Sequence, residues 1–328
     1  MEDRGMKYVP FGKTDVRVSE MCLGTMMFGE RCDEAESGRI LAAAVEGGVT
    51  FVDTAASYCQ GRTEEIVGRI IKGKRDRLFL ATKVTRSTEG AWIRQSLEES
   101  LRRMEVDYVD LYLIHWPRPG MRPVEMMEAL NAVVQSGKAR YVGCCNFPAW
   151  LLAHCNAIAA SHGWAPLVCN QVPYNLIERG VEVEVLPQAV AERIVITVYR
   201  PLLMGVLAGK YRAWEPLPVD SRGYTDKRVL SWVERYGDGL RRFAELAASL
   251  GLHPAQLAVA WVRHSLAVTC PIVGASSLNQ ITTTLKAFDV ALTDEQYAAV
   301  TATFDTAVKE ETGGNYPNLR RALDLVAR

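Results

Sequence analysis

The chain has 328 residues, 48% of them hydrophobic, and its 38 basic and 38 acidic residues cancel. That size allows a full core in a single domain, residues 1–328, and the balanced charge argues against a nucleic-acid partner. No apolar run approaches the roughly 20 residues of a membrane span, and the polar N-terminal segment lacks a signal-peptide core. We therefore expect a cytoplasmic protein without a membrane partner.

Eight cysteines are scattered along the chain without a C-x-x-C pair. Most of them fall in or beside apolar segments, which predicts buried free thiols rather than disulfides, and we expect no metal site. Cys59 differs because it follows Tyr58 in a short loop, where we expect its thiol to be partly exposed.

In chain order, the first predicted element is a small hairpin that pairs residues 6–10 with residues 16–19 through a turn at 12–15. Beyond it, apolar runs of strand length alternate with amphipathic segments of helix length. The predicted strands are 21–24, 51–53, 78–84, 109–114, 139–144, 167–170, 194–199 and 269–273. The predicted helices begin near residue 63 and continue with 91–104, 124–135, 148–160, 186–192 and 278–287.

This alternation predicts a parallel sheet. Eight repeats fit an α/β fold, a closed (β/α)8 TIM barrel, which carries its active site at the C-terminal ends of the strands. The N-terminal hairpin would close the bottom of that barrel. A doubly wound open sheet is the rival fold. It needs a glycine-rich phosphate-binding turn after its first strand, and Leu23-Gly24-Thr25-Met26 is not such a turn.

Two further segments follow the seventh strand. Residues 214–238 are rich in aromatic residues, prolines and charges and predict a long loop, ordered as a flap over the functional site. Residues 313–328 predict a C-terminal helical extension, hinged at Gly313-Gly314. That extension would close the substrate mouth or lie on the side of the barrel.

Four polar residues lie at the C-terminal ends of three successive predicted strands: Asp53, Tyr58, Lys83 and His115. A tyrosine with an ordinary pKa near ~10 donates protons slowly at neutral pH, so it needs a nearby cation. Lys83, within about 4 to 6 Å, would lower the pKa of Tyr58, and Asp53 would hold the ammonium. His115 would orient the substrate oxygen. Each residue alone has an ordinary structural explanation, but the four together predict a catalytic site with Tyr58 as general acid and base.

Seven segments resemble the aldo-keto reductase family, in the family's order and over nearly the whole chain: FVDTAASY, ATKV, DLYLIHWP, VGCCNF, CNQVPYN, YRPLLMGVLAGKY and PIVGASSLNQ. The resemblance implies a barrel without a Rossmann domain, which binds an extended nicotinamide cofactor across the strand ends. It implies an oxidoreductase that transfers a hydride between NADP(H) and a small aldehyde or ketone, or the corresponding alcohol or sugar.

The resemblance also implies the residues that bind the cofactor. Asn146 and Gln171 would hold the nicotinamide carboxamide, Tyr199 would stack on its ring, and residues 205–210 would cover the pyrophosphate. The full implied set is Thr25, Met26, Asp53, Cys145, Asn146, Gln171, Tyr199, Arg200, Pro201, Leu202, Gly205, Lys210, Ser221, Arg222, Gly274, Ala275, Ser276, Gln280 and Thr284. Several positions depart from the family's pattern: Cys145 and Arg200 replace serines, residues 274–277 lack the usual cation, and Thr283-Thr284 replaces Glu-Asn.

The positive charges of Lys210, Arg222 and Arg200 favour NADP(H), because guanidinium groups suit a phosphate. NAD(H) is the alternative, because residues 274–277 carry no cation. The substrate pocket would be apolar and aromatic, a surface that tolerates many aldehydes, aryl ketones or sugars. Its predicted wall consists of Met26, Met27, Phe28, Tyr58, His115 and Trp116.

Two alternatives to a reductase stay open. One is an NAD-dependent sugar or alcohol dehydrogenase of the same fold, since the same site catalyses both directions. The other is a regulatory protein like the potassium-channel β subunits, which closely resemble this family. The form DLYLIHWP, with His115, is typical of the enzymes and favours catalysis. The substrate, the physiological direction and the oligomeric state are not fixed by the sequence.

Overall fold

The computed structural model describes residues 5–212, 215–219 and 221–304, apart from the side chain of Arg222. An antiparallel hairpin comes first, made of β1 (Tyr8–Pro10) and β2 (Arg17–Ser19). The other described strands form a closed barrel. They are β3 (Cys22–Gly24), β4 (Phe51–Asp53), β5 (Phe79–Val84), β6 (Val109–Ile114), β7 (Ala139–Cys145), β8 (Leu167–Pro173), β9 (Val195–Tyr199) and β10 (Cys270–Gly274).

Every neighbouring pair in the barrel is parallel, in the order β10-β3-β4-β5-β6-β7-β8-β9. The described α-helices are α1 (Glu34–Glu46), α2 (Arg62–Ile71), α3 (Gly90–Met104), α4 (Pro123–Gln135), α5 (Ala149–His162), α6 (Val185–Glu192), α7 (Arg222–Thr225), α8 (Lys227–Ser249), α9 (Pro254–His264), α10 (Leu278–Leu285) and α11 (Asp294–Ala302). The predicted (β/α)8 barrel is confirmed, and the predicted elements agree with these bounds to within a few residues. None of the described helices is both long and apolar enough to cross a membrane.

The strands are apolar throughout because each is buried on both faces. In β5, Phe79 and Ala81 point into the barrel, whereas Leu80 packs outward against the helices. Side chains of a strand alternate between its two faces, so this pattern fixes the direction of the residues that follow. Lys83, two residues beyond Ala81, therefore points into the barrel.

The hairpin closes the N-terminal end of the barrel. Phe11, just after β1, is fully buried, and its ring centre lies 4.7 Å from that of Phe79 and 6.0 Å from that of Phe51. Phe51 and Phe79 are the first residues of β4 and β5, so this contact lies at the strand starts. The predicted hairpin is confirmed, and the opposite end of the barrel is left for the polar residues.

A long connection follows β9, as predicted, but its second half is helical rather than loop. Asp226 caps α8 by accepting a hydrogen bond from the Arg228 backbone N–H at 3.0 Å. Val229, Val233 and Leu240 bury one face of α8, and such a stripe stabilises a helix through its tertiary packing. The predicted loop therefore ends before Lys227. The predicted C-terminal extension, residues 313–328, lies outside the described residues.

Candidate active site

Lys83 lies at the centre of a polar cluster at the C-terminal end of the barrel. Its side chain has no exposed surface. Its Nζ donates to Asp53 Oδ2 at 2.6 Å, to the Thr54 carbonyl oxygen at 2.8 Å and to the Tyr58 hydroxyl at 3.3 Å. An ammonium has three hydrogens, so each of them has an acceptor in this buried place.

Strand register brings these groups together. Asp53, the last residue of β4, lies opposite Ala81 of β5, two residues before Lys83. The Thr54 N–H then donates to the Ala81 carbonyl oxygen at 2.9 Å, which extends the pairing by one residue. The chain next makes a tight turn over Tyr58–Gly61, with a left-handed backbone at Cys59 and Gln60. This turn aims the tyrosine back at the lysine.

Burial and neighbouring charges together set the protonation of the lysine and the tyrosine. Burial alone would lower the pKa of Lys83, but Asp53, Tyr58 and Cys145 together outweigh burial, and the pKa lies above its ordinary value. Burial raises the pKa of Tyr58, and the Lys83 ammonium lowers it only in part. The expected influence of Lys83 on the tyrosine is present, but the net direction is upward. At neutral pH a protonated phenol therefore lies beside an ammonium.

His115 lies beside the same tyrosine. Its ring centre is 6.2 Å from that of Tyr58, with the two planes at 79°. Burial, the Lys83 charge and the Arg118 charge lower the pKa of His115 to about 3. The imidazole is therefore neutral at neutral pH, so it can exchange hydrogen bonds with a substrate oxygen but cannot act as a cationic acid.

The second oxygen of Asp53 is also held. Gln171, in β8, donates from Nε2 to Asp53 Oδ1 at 3.0 Å, and both side chains are buried. The Thr25 hydroxyl donates to the Asp53 carbonyl oxygen at 2.9 Å. The cofactor contacts of Gln171 and Thr25 stay a prediction. In the structure, Gln171 holds the carboxylate of Asp53 and Thr25 holds its backbone carbonyl.

Three more predicted cofactor residues lie at the ends of β7 and β9. The Tyr199 hydroxyl donates to Asn146 Oδ1 at 2.9 Å, and Asn146 Nδ2 donates to the His115 carbonyl oxygen at 3.2 Å. Burial raises the pKa of Tyr199 to about 12, so its phenol stays neutral. Cys145 is buried, and burial raises the pKa of its thiol well above the usual value. That thiol is therefore a poor nucleophile.

The connection after β9 carries the predicted pyrophosphate contacts. Arg200 has a left-handed backbone, with φ of 58°, and its Nη1 lies 3.6 Å from Glu178 Oε1. Lys210 is exposed and lies along the backbone of Gly205, where a side-chain carbon would be 3.0 Å from Lys210 Nζ. The lysine charge thus covers a glycine turn. Two neighbouring predicted residues are less accessible, Pro201 and Leu202.

At the start of α10, side chains occupy backbone N–H groups of the kind that bind phosphate at a helix N-terminus. The Ser276 N–H donates to Gln280 Oε1 at 2.9 Å, and the Leu278 N–H donates to Glu36 Oε1 at 2.7 Å. The Leu278 N–H and the Arg39 guanidinium lower the pKa of Glu36, so its carboxylate is charged. A phosphate placed here would lie beside a negative charge. The other predicted residues of this region are Gly274, which is exposed, and Ala275 and Thr284, which are buried.

Ser221 is buried, and its hydroxyl has no hydrogen-bond partner among the described residues. A buried hydroxyl without a partner is uncommon, and the neighbouring Asp220 lies outside the described residues. The phosphate contact expected of Arg222 stays a prediction, because its side chain lies outside the described part of the chain. Within the described residues, no group of His, Cys, Asp and Glu could hold a metal ion.

The comparison with protein families decides the identity of this barrel. A sequence model of the Aldo/keto reductase family matches residues 20–304. The chain belongs to this family. Members of the aldo/keto reductase family typically use nicotinamide cofactors, so the polar cluster lies in a fold that is associated with such a cofactor.

Curated relatives cover most of the chain. Uncharacterized oxidoreductase YrpG of Bacillus subtilis (strain 168) is 35% identical over 310 residues, which cover 88% of this chain and 93% of that protein. Aldo-keto reductase YhdN of the same strain is 30% identical over 328 residues, with coverages of 95% and 97%. A probable voltage-gated potassium channel subunit beta of Oryza sativa subsp. japonica is 33% identical over 305 residues, with coverages of 87% and 92%. The similar proteins thus include named oxidoreductases and a named channel subunit.

The predicted substrate wall of this aldo/keto reductase family member is accessible in part. Met26 is 38% exposed and Trp116 is 50% exposed, while Met27 is partly buried. Phe28 has no exposed surface and packs between the barrel and the helices. Its backbone N–H donates to the Thr25 carbonyl oxygen at 2.9 Å, and its place in the substrate wall stays a prediction.

Three residues at or near the site were not predicted from the sequence: Thr54, Glu36 and Glu64. Thr54 acts through its backbone carbonyl, which no side-chain pattern reveals. Glu36 reaches a residue 242 positions away in the chain. Glu64 is fully buried and bonds Arg103 and Thr82 behind the cluster. For Glu64, the sequence offers one indication: a carboxylate on the apolar side of an amphipathic helix predicts a buried acid, and a buried acid requires a partner.

Proposed function

We propose that this protein transfers a hydride between a nicotinamide cofactor and a small aldehyde or ketone, or the corresponding alcohol. The observation that carries the proposal is the fully buried Lys83, whose ammonium lies 3.3 Å from the Tyr58 hydroxyl and 2.6 Å from Asp53. A buried ammonium beside a phenol suits proton transfer, because it stabilises the phenolate that remains after donation.

When bound, the cofactor supplies the hydride for the carbonyl carbon. In reduction, Tyr58 donates its phenolic proton to the carbonyl oxygen, and Lys83 stabilises the phenolate. Asp53 keeps the ammonium in place. Neutral His115 hydrogen-bonds the substrate oxygen and orients it toward Tyr58. In the oxidation of an alcohol, the Tyr58 phenolate, stabilised by Lys83, accepts the hydroxyl proton instead.

The residues around the cluster fit a dinucleotide. The amides of Asn146 and Gln171 offer donors and acceptors for a carboxamide, and the ring of Tyr199 offers a face for stacking. Lys210 offers positive charge to phosphate, and the buried hydroxyl of Ser221 offers a donor. This set of donors supports a nicotinamide cofactor laid across the C-terminal ends of the strands.

We propose that the protein binds NADP(H) more tightly than NAD(H), by a modest factor. A charge-assisted contact contributes about 1.5 to 3 kcal/mol, so a single arginine such as Arg222 would give roughly tenfold to hundredfold preference. The Glu36 carboxylate at the start of α10 opposes this preference, because it would repel a 2′-phosphate there. NAD(H) should therefore serve as a weaker cofactor.

Substitution of Tyr58 by phenylalanine tests the proposal. Because only the hydroxyl is lost, we expect reduction of an aryl aldehyde to fall by roughly 10²-fold or more, while cofactor binding stays nearly unchanged. Steady-state absorbance of the reduced cofactor gives the rate, and quenching of protein fluorescence gives the dissociation constant. Tyr141→Phe is the matched control, since that hydroxyl bonds Asp15 at 2.9 Å on an exposed surface. A Tyr58→Phe variant that keeps more than about a tenth of the wild-type rate would exclude Tyr58 as the proton donor.

The exposed Met26 and Trp116 support an apolar or aromatic substrate, and a panel of aldehydes, aryl ketones, alcohols and sugars would define it. The similarity to a channel β subunit supports a second candidate, a regulatory protein that binds the cofactor. A purely regulatory protein would bind the cofactor and turn over no member of the panel in either direction.

A further inference from the structure

The turn that carries Tyr58 has a strained backbone. Cys59 and Gln60 both adopt left-handed conformations, with φ of 45° and 57°, and Gly61 follows at 97°. Glycine enters this region without steric penalty, whereas other residues remain there only when the surrounding structure holds them. Contacts from neighbouring residues must therefore hold the backbone of Cys59 and Gln60 in this conformation.

Arg103, from α3, lies against the end of that turn. A side-chain carbon at Gly61 would lie 2.8 Å from Arg103 Cδ, so the arginine stem packs directly on the glycine backbone. Beyond the stem, the guanidinium donates from Nε to Glu64 Oε2 at 2.6 Å. Glu64 belongs to the first turn of α2, the helix that follows the Tyr58 turn.

Glu64 connects the same contact to the strand of Lys83. Its carboxylate has no exposed surface, and Oε1 accepts a hydrogen bond from Thr82 Oγ1 at 2.5 Å. Thr82 immediately precedes Lys83 in β5. The ion pair of half-buried Arg103 and fully buried Glu64 therefore joins the strand of the lysine to the segment of the tyrosine.

We propose that Arg103 and Glu64 are positioning residues, which hold the Tyr58 turn so that the Tyr58 hydroxyl contacts Lys83. The proposal rests on the proposed role of Tyr58 in proton transfer. The pair acts through Gly61 and Thr82 rather than on the substrate. Without it, the backbone of Cys59 and Gln60 relaxes toward ordinary conformations and the hydroxyl moves away from the ammonium.

The test compares Arg103→Ala with Arg103→Lys and with a matched control, Arg75→Ala. Arg75 pairs with another buried carboxylate, Asp110, at 2.8 Å, near the starts of the strands. The control therefore removes an arginine from a buried acid without touching the Tyr58 turn. The double variant Arg103→Ala/Glu64→Gln leaves no unpaired buried charge, so it serves the same test if the single variant does not fold.

The first measurement is steady-state reduction of an aryl aldehyde. We expect Arg103→Ala to lower kcat about tenfold or more, because small displacements of a reacting group are costly. The KM for the aldehyde and the dissociation constant of the cofactor should stay within about twofold, because the pair contacts neither. Arg103→Lys should recover most of the kcat, and Arg75→Ala should keep the wild-type kcat.

The second measurement does not depend on activity. Of the eight cysteines, all of them in the described part of the chain, Cys59 alone is partly exposed. Its rate of reaction with a maleimide should rise in Arg103→Ala and stay at the wild-type value in Arg75→Ala. This result is expected even if Tyr58 proves not to be the proton donor. An equal loss of kcat in both alanine variants, or a wild-type maleimide rate in Arg103→Ala, would overturn the proposal.

Discussion

Lys83 shows how one buried charge is tolerated. Burying an ammonium is unfavourable unless its hydrogens find acceptors and its charge finds a partner. Asp53 and the Thr54 carbonyl oxygen provide the two shorter contacts, at 2.6 and 2.8 Å, and the Tyr58 hydroxyl provides a longer one, at 3.3 Å. The longer contact is the one that can strengthen when a phenolate forms, so we expect the ammonium to bind the deprotonated tyrosine better than the protonated one.

The low pKa of His115, about 3, makes the stability of the fold depend on pH. An unfolded histidine titrates near ~6.5, so between about pH 6.5 and 3 the unfolded chain binds a proton that the folded chain excludes. The folded state therefore loses stability as the pH falls through that window. In His115→Asn, we expect the slope of unfolding free energy against pH to be smaller by up to about 1.4 kcal/mol per pH unit, the value for one proton.

Urea unfolding of wild type and His115→Asn between pH 7 and pH 5 would measure this slope. His162→Asn is the matched control, because it removes an exposed ring by the same substitution. Parallel slopes for wild type and His115→Asn would mean that the His115 ring takes up a proton in the folded protein as readily as in the unfolded chain.

The sequence predicts the placement of a side chain that points directly from a strand end. Asp53 and Lys83 follow from strand order and the two-residue alternation, because parallel strands end at the same edge. The burial of Phe28 does not follow, since it depends on a turn in which the Phe28 N–H donates to the Thr25 carbonyl oxygen. The role of Gln171 as a partner of Asp53 does not follow either, since the two side chains meet across 118 positions of sequence.

At the level of elements, α1 and α10 meet at their first turns, and Glu36 joins them through the Leu278 N–H. Glu36→Gln keeps an oxygen for this N–H but removes the charge. We expect the affinity for NADPH to rise relative to that for NADH, because the repulsion of a 2′-phosphate is lost. Arg222→Ala should change the same ratio in the opposite direction.

Fluorescence titration with both cofactors would measure the ratio. Glu34→Gln is the matched control, since Glu34 lies in the same helical turn but bonds Arg69 instead. If Glu36→Gln and wild type share one ratio, the 2′-phosphate does not bind near the start of α10.

The type and order of the elements could be predicted because continuous apolar runs of strand length alternate with amphipathic segments of helix length. The start of α8 at Lys227 could not be predicted. The prolines and aromatic residues that precede it are typical of a loop, and the apolar stripe of the helix begins only after them. Helix ends depended on caps, such as Asp33 before α1, whose carboxylate accepts the Glu36 N–H at 2.8 Å. Capping side chains are common in loops as well, so they locate a helix start only once the helix is known.

At the scale of the whole molecule, the barrel has a closed end and a polar end. Phe11 closes the first with no exposed surface, against Phe51 and Phe79. Phe11→Ala should therefore lower the free energy of unfolding by about 3 to 5 kcal/mol, the usual loss for a buried phenylalanine. The kcat should stay at the wild-type value, because the polar cluster lies at the opposite strand ends.

Denaturant unfolding and steady-state kinetics on the same samples would test this separation. Leu266→Ala is a suitable control, because that side chain is 90% exposed and its loss should change stability by no more than about 0.5 kcal/mol. A large fall in kcat for folded Phe11→Ala would show that the two ends of the barrel are coupled.

The order of the chain has a consequence for how the protein is made. Asp53, Tyr58, Lys83 and His115 all come from residues 53–115, whereas the ring closes by pairing Ile272 with Cys22. Joining residues so far apart costs more chain entropy than pairing β4 with β5, so we expect ring closure to come late. During synthesis, the residues proposed for proton transfer would leave the ribosome first. The residues proposed to hold the cofactor, from Asn146 to Ser221, would follow later. The nascent chain would therefore contain the residues for proton transfer but would stay inactive until β10 pairs with β3 and closes the barrel.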